Sequence, residues 1–141
     1  MFAYNIIAQA KSFDIIGKIV EIKWEEFRSQ DDRDLVKEAI RIQRIIQSKN
    51  FVQFFKILRS KETNYFFACI MLNYVEQMRL IGIETMFKSY RFKDFPLGLV
   101  KNKLNLSSEE DAESLISACG YYRQEPSANS LIAWARNPDK E

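Results

Sequence analysis

Between Arg79 and Leu106 the chain carries Arg79, Lys88, Arg91, Lys93, Lys101 and Lys103 against only Glu84 and Asp94, with Tyr90, Phe92 and Phe95 set among them. Cations follow a phosphate backbone and flat rings stack on bases, so this composition can grip a single strand with little sequence preference. Lys88, Arg91, Lys93, Lys101 and Lys103 are the candidate nucleic-acid contacts. A solvated surface carries a similar density of charge, and Phe92 and Phe95 can equally serve a core. From Ser107 to Cys119 the balance reverses: Glu109, Glu110, Asp111 and Glu113 stand without a base. A DNA-reading helix enters the major groove with its N-terminal residues first, and four acids there would be repelled by phosphate. The same carboxylates also suit a first helical turn, where they complement the macrodipole and need no partner.

Other chemistry is poorly provided for. There is no histidine in the 141 residues, which removes the commonest general base, the commonest zinc ligand and every Ser-His or Cys-His pair. The 4 glycines stand too far apart for a phosphate loop or a dinucleotide fingerprint. Cys69 and Cys119 lack metal-type spacing; Cys69 reads as a small buried hydrophobe, and a disulfide between them is not expected in an intracellular protein. No acidic pair stands out in an apolar setting, so no enzyme, metal or cofactor is expected. The net charge of +2 leaves any nucleic-acid binding to local clustering. No secretory signal pattern opens the chain.

The elements that must position these residues are helical. Tyr4, Ile7 and Ala8 make a short stripe ending near Ser12. Asp14 opens a second helix with Ile15, Ile16, Ile19 and Val20 on one face. Asp31 and Asp32 start a third, striped by Leu35, Ala39, Ile42 and Ile46 with Val36 and Ile40 beside them. Phe51, Phe54, Phe55 and Leu58 fall at helical spacing with Gln53, Lys56 and Arg59 turned outward. The run Tyr65–Leu72 is apolar without a break, which predicts a helix buried on all sides. Asn73, Glu76 and Arg79 make it too short for a membrane span. Phe54, Phe55, Phe66, Cys69 and Leu72 are the expected junction core, and Gly82 is the expected bend.

The remainder has the order of a winged helix: a first helix from Ile83 to Tyr90, a link Arg91–Phe95, a second from Pro96 to Leu104. A third helix starts from a capping box of Ser107 and Glu110, buries Leu115, Ile116 and Cys119, and ends at Gly120. Tyr121–Gln124 and Leu131–Ala135 can pair as a hairpin.

The segments Asn50-Phe-Val-Gln-Phe-Phe-Lys-Ile-Leu58, Tyr65-Phe-Phe-Ala-Cys69, Val75-Glu-Gln-Met-Arg79 and Ile83-Glu-Thr-Met86 resemble the core signature of the GANP family, also called SAC/GANP. The likeness runs from about Phe2 to Gly120. It implies an all-α fold with a small β-hairpin: stacked helical repeats ending in a winged helix, PCI-like. On that reading residues 1–81 are the helical-repeat part, 82–136 the winged-helix part and 137–141 a polar tail. The resemblance also implies a non-enzymatic scaffold of the TREX-two mRNA-export complex at the nuclear pore. Its implied partners are a second PCI-domain protein at the winged-helix end and a small acidic subunit laid across both. Tyr121, Tyr122, Arg123 and Trp134 are the candidate partner contacts, since interface hot spots favour Tyr and Trp. In the family the first helix is preceded by others; if these are missing, Phe2, Ile6 and Phe13 form an exposed apolar end. Two alternatives remain open: a winged-helix DNA-binding regulator, and a centrosome-associated branch of the family acting in spindle assembly.

Overall fold

The computed structural model describes residues 1–90, 96–124 and 133–136, with Arg123, Gln124 and the last strand described by backbone alone. The fold is all-α with one small β-hairpin, as expected, and it divides into two compact units, Met1–Met78 and Arg79–Glu141.

The first unit is built on α1 (Phe2–Ala8), α2 (Phe13–Val20), a 3-10 turn (Trp24–Glu26), α3 (Gln30–Gln47), α4 (Phe51–Arg59) and α5 (Tyr65–Met71). The long α3 is the central member, packing against both α1 and α4, while α1 also packs on α5. Its buried stripe is Val36, Ala39, Ile40, Ile42, Gln43 and Ile46. Ser29, two residues before the expected start at Asp31, caps the helix: its hydroxyl accepts from the Asp32 amide at 3.0 Å, which leaves Asp31 and Asp32 in the first turn. Asn50 and Asn64 cap α4 and α5 in the same way.

Gln43 is the one polar member of the stripe and is only 2 % exposed. Its amide donates to the Ala10 carbonyl at 3.1 Å and to Gln47 Oε1 at 3.0 Å, joining α3 to the link that follows α1. The Tyr74 hydroxyl, just before α6 (Val75–Tyr90), reaches the Ile7 and Ala8 carbonyls at 2.9 and 2.7 Å. Tyr74 thereby serves carbonyls at the end of a seven-residue helix, and Gln43 serves one in the link after it.

Four expectations are corrected here. Helix α5 is not surrounded: Phe67 and Met71 are buried one turn apart, whereas Tyr65, Phe66, Cys69 and Leu72 lie on its exposed side. A continuous apolar run fills both faces of a helix, but burial follows the neighbours, and here they cover one side. The fully buried aromatic residues of this unit are instead Phe54 and Phe55, which meet each other, and Phe67, which meets Tyr4 of α1, all three at 0 % exposure. Second, Ile6 is fully buried between neighbours, so only Phe13 at 87 % fits the expected apolar end. Third, the bend or junction expected at Gly82 does not interrupt the helix, which is continuous across that buried glycine; the 3-10 turn falls earlier, at Leu72–Tyr74, and the boundary between the two units lies at Met78/Arg79. Fourth, the helical run Tyr65–Tyr90 does reach the length and mean hydropathy of a membrane span. It nevertheless sends Phe67, Met71, Met78, Ile83, Met86 and Phe87 into protein cores and carries Glu76, Arg79, Glu84 and Lys88, the pattern of a core helix in a globular domain.

The second unit takes most of α6, then α7 (Leu97–Leu104), α8 (Glu109–Ala118), β1 (Tyr121–Gln124) and β2 (Ala133–Arg136). Helix α7 packs on α8, and α8 on β1. Gly120, at φ 87°, makes the sharp turn from α8 into the hairpin, a conformation cheap only for glycine. Among the described residues, Ile83, Met86, Phe87, Val100, Leu104, Ala112, Ile116 and Tyr121 are the buried apolar residues of this unit. The strands pair antiparallel with Tyr121 opposite Arg136 and Gln124 opposite Ala133; Leu131 and Ile132, expected in the second strand, lie outside the described residues.

Candidate nucleic-acid and partner interface

The basic residues of the second unit are held by two helix ends. Lys88 sits in the last turn of α6, 3.8 Å from Glu84 one turn back, a favourable acid-before-base order. Lys101 and Lys103 stand in the last turn of α7, where cations complement the negative end of the helix. Lys103 is exposed and Lys101 half-buried. Arg91 and Lys93 lie outside the described residues, as do Phe92 and Phe95.

Arg79 has a different task. Its Nε donates to the Leu104 carbonyl at 3.3 Å and an η nitrogen to the Asn105 carbonyl at 3.0 Å. Asn105 adopts the left-handed conformation that ends α7, with φ 53°. The guanidinium therefore caps the C-terminus of α7 and fixes it against α6, which positions the turn bearing Lys101 and Lys103.

At the start of α8 the capping box is one residue later than expected. Ser108 accepts from the Asp111 amide at 3.1 Å, and the Asp111 carboxylate accepts from the Ser108 amide at 3.2 Å. The shorter aspartate fills the role expected of Glu110, because Ser108 and not Ser107 is the last extended residue. Asp111 is thereby committed to the cap, while Glu109, Glu110 and Glu113 remain exposed. The Glu109 carboxylate reaches back to α7, 3.3 Å from where a Cβ on Gly98 would stand, one turn from Lys101. An acid at that place opposes a phosphate approaching along α7. Burial, helped by the charge of Glu84, pushes the Cys119 thiol above its usual range. Both cysteines are free.

Of the hairpin residues, Tyr122 is 46 % exposed and Tyr121 only 8 %. Tyr121 stacks on Phe87 of α6 and belongs to the core of the unit. Arg123 faces Trp134 in the strand register.

Sequence reasoning passed over a second place, in the first unit. A groove of about 550 Å³ runs beside α3, lined by Trp24, Ile40 and Ile45 together with Lys37, Arg41 and Arg44. Its signal in the sequence is cations at positions 37, 41 and 44, a single helix face opposite the apolar stripe.

A model of the SAC3/GANP family matches residues 1–125. Protein xmas of Drosophila melanogaster is 32% identical over 91 residues, covering 60% of this chain and 4% of its own. The chain thus spans a small fraction of that relative's length. No solved structure matches.

Proposed function

The chain belongs to the SAC3/GANP family, and from that premise we propose that it is a non-enzymatic scaffold acting in mRNA export, in a TREX-two-like assembly of the nucleus. The family match over residues 1–125 is the observation that carries this reading. In it the first unit serves as the helical-repeat part of a PCI-like domain and the second as its winged-helix part. The order of α6, α7, α8 and a hairpin supports that assignment.

The hairpin end meets a second PCI-domain protein, and a small acidic subunit completes the assembly. Tyr122 supports the first contact: it is a large amphipathic side chain left in solvent beside Tyr121, whose own ring is used in the core. Lys88, Lys101 and Lys103, with Arg91 and Lys93, add weak contact to RNA or single-stranded DNA. A duplex-reading winged helix is the poorer account, since Glu109, Glu110 and Asp111 occupy the first turn of the helix that would enter the groove.

Affinity capture of the tagged chain from nuclear extract, followed by mass spectrometry, tests the scaffold. A PCI-domain protein should be recovered, and its recovery should fall with Tyr122→Ala or Arg123→Glu. Recovery unaffected by either change moves the interface away from the hairpin; capture without any export or PCI protein overturns the scaffold reading.

A further inference from the structure

The groove beside α3 has an apolar end and a cationic end, and the two are made by different elements. Trp24 comes from the 3-10 turn, which is fastened to α3 by Arg33 Nε donating to the Phe27 carbonyl at 3.3 Å. Its ring leans on Phe27 with centroids 6.0 Å apart and stays 39% exposed. Ile40 and Ile45 complete the apolar wall. Along α3 the cations Lys37, Arg41 and Arg44 follow one another at helical spacing, about 6 Å and then about 4.5 Å of axial rise apart. Lys37 is already paired with Asp34 at 3.3 Å. Arg41 and Arg44, both exposed, have no carboxylate within ion-pair distance among the described residues. Arg41 and Gln53 also line a second groove, of about 430 Å³, so the depression continues past them between α3 and α4.

We infer that this groove is a docking site for a short acidic peptide segment of a partner protein, with one aromatic or leucine side chain against Trp24, Ile40 and Ile45 and its carboxylates on Arg41 and Arg44. The volume lies within the range of ligand-sized sites, roomy enough for an anchoring side chain. Guanidinium forks meet carboxylates in a bidentate way that a lysine cannot, and they lose less of their hydration on doing so. The charge pattern favours a peptide over a nucleic-acid strand. Glu25 and Glu26 flank Trp24, and Glu26 is only loosely engaged by Lys23 at 4.0 Å. A continuous polyanion would have to lay phosphates against those carboxylates, whereas a peptide keeps its acids at one end and its apolar side chain at the other. This site is separate from the hairpin and from the lysines of α7, and does not depend on either.

Fluorescence anisotropy tests it on the full chain, with capped, labelled decapeptides in which one Phe or Leu is set among Asp and Glu. Controls replace the anchor by Ala or the acids by Asn and Gln; a labelled oligouridylate is the third probe. The acidic anchored peptides should bind, and both controls should lose most of that binding. The paired substitutions Arg41→Glu and Arg44→Glu should weaken the peptides at least about tenfold by placing like charges together. Trp24→Ala should weaken them as well, while Lys101→Glu with Lys103→Glu leaves them unchanged. Exposed arginines contribute little to folding, so the melting temperature of the arginine variant should stay near that of the parent. Peptides that fail to bind at millimolar concentration overturn the inference. So does peptide binding indifferent to Arg41, Arg44 and Trp24, and so does oligouridylate binding that is tighter than the peptides and lost in the arginine variant. Loss of oligouridylate binding confined to the α7 variant bears on the nucleic-acid reading alone.

Discussion

The rings of Phe87 and Tyr121 are stacked, their planes 6° from parallel and their centroids 4.1 Å apart. The stack ties the last turn of α6 to the first residue of the hairpin, and so sets where the wing leaves the helices. Tyr121 therefore has a structural use that its neighbour Tyr122 lacks. Tyr121→Ala should cost about 3 kcal/mol or more through the cavity it leaves, whereas Tyr122→Ala should stay within about 0.5 kcal/mol of the parent. Urea unfolding of the two variants measures both, and equal losses would contradict the assignment of one tyrosine to the core and the other to the surface.

The same contrast applies to the aromatic helices of the first unit. Phe55 is at 0 % exposure and meets Phe54 edge to face at 5.2 Å, while Phe66 is 61% exposed. Phe55→Ala should destabilise by about 3–5 kcal/mol. Phe66→Ala should cost far less, chiefly its edge-to-face packing with Tyr4 at 6.0 Å. Thermal melts of the pair separate a helix that buries one face from one buried all round.

Gln43 offers a test of a buried polar link. Removing its amide, as in Gln43→Leu, leaves the Ala10 carbonyl without that donor. The expected cost is about 1–3 kcal/mol despite a more apolar side chain. A variant more stable than the parent would show that the carbonyl finds another partner.

Tyr74 gives a pH dependence. Burial raises its phenol pKa above the ordinary 10.0, so the folded state favours the neutral form, whose single O–H donates to the Ile7 or the Ala8 carbonyl. That contribution is fully present below the unfolded pKa and is lost as pH rises through the folded one. Stability should therefore fall on going from about pH 9 to about pH 11, and should fall less steeply in Tyr74→Phe. At neutral pH the same substitution should cost about 1 kcal/mol for the hydrogen bond removed. Parallel alkaline slopes for parent and variant would rule out this tyrosine as the source.

How far the sequence disclosed these features depends on what each one rests on. Most of the α3 stripe, the helix start at Pro96, the Gly120 stop and the hairpin pairing follow from periodicity and local backbone preference; Leu35, expected at the head of that stripe, is only half-buried, and Val36 takes its place. The bare side of α5 was illegible because its residues are apolar on every face, and only the position of α1 decides which are covered. The capping box shifted by one because two adjacent serines offer the same chemistry. Arg79 reads as one more cation in a basic stretch; that it caps α7 depends on a hydrogen bond 25 residues away along the chain. The groove beside α3 needed the fold of the Trp24 turn, which no periodicity announces.

The lysines of α7 give the most direct test of whether the second unit touches nucleic acid. Lys101 and Lys103 lie together at one helix end, held there by Arg79, with the Glu109 carboxylate one turn away. Binding of a labelled oligouridylate should be weak, show little sequence preference and fall steeply with salt, because backbone charge would supply the affinity. Lys101→Gln with Lys103→Gln should reduce the slope of log affinity against log salt by about 0.7 for each phosphate no longer neutralised. Glutamine is the better probe than glutamate for this slope: a carboxylate at the end of a helix opposes the macrodipole and costs about 0.3–1 kcal/mol of its own. Glu109→Gln with Glu110→Gln should act in the opposite sense and tighten binding by removing repulsion at the same place, without touching the Asp111 cap. If affinity and slope are indifferent to both pairs, the α7 end carries no nucleic acid, and the scaffold works through protein partners alone.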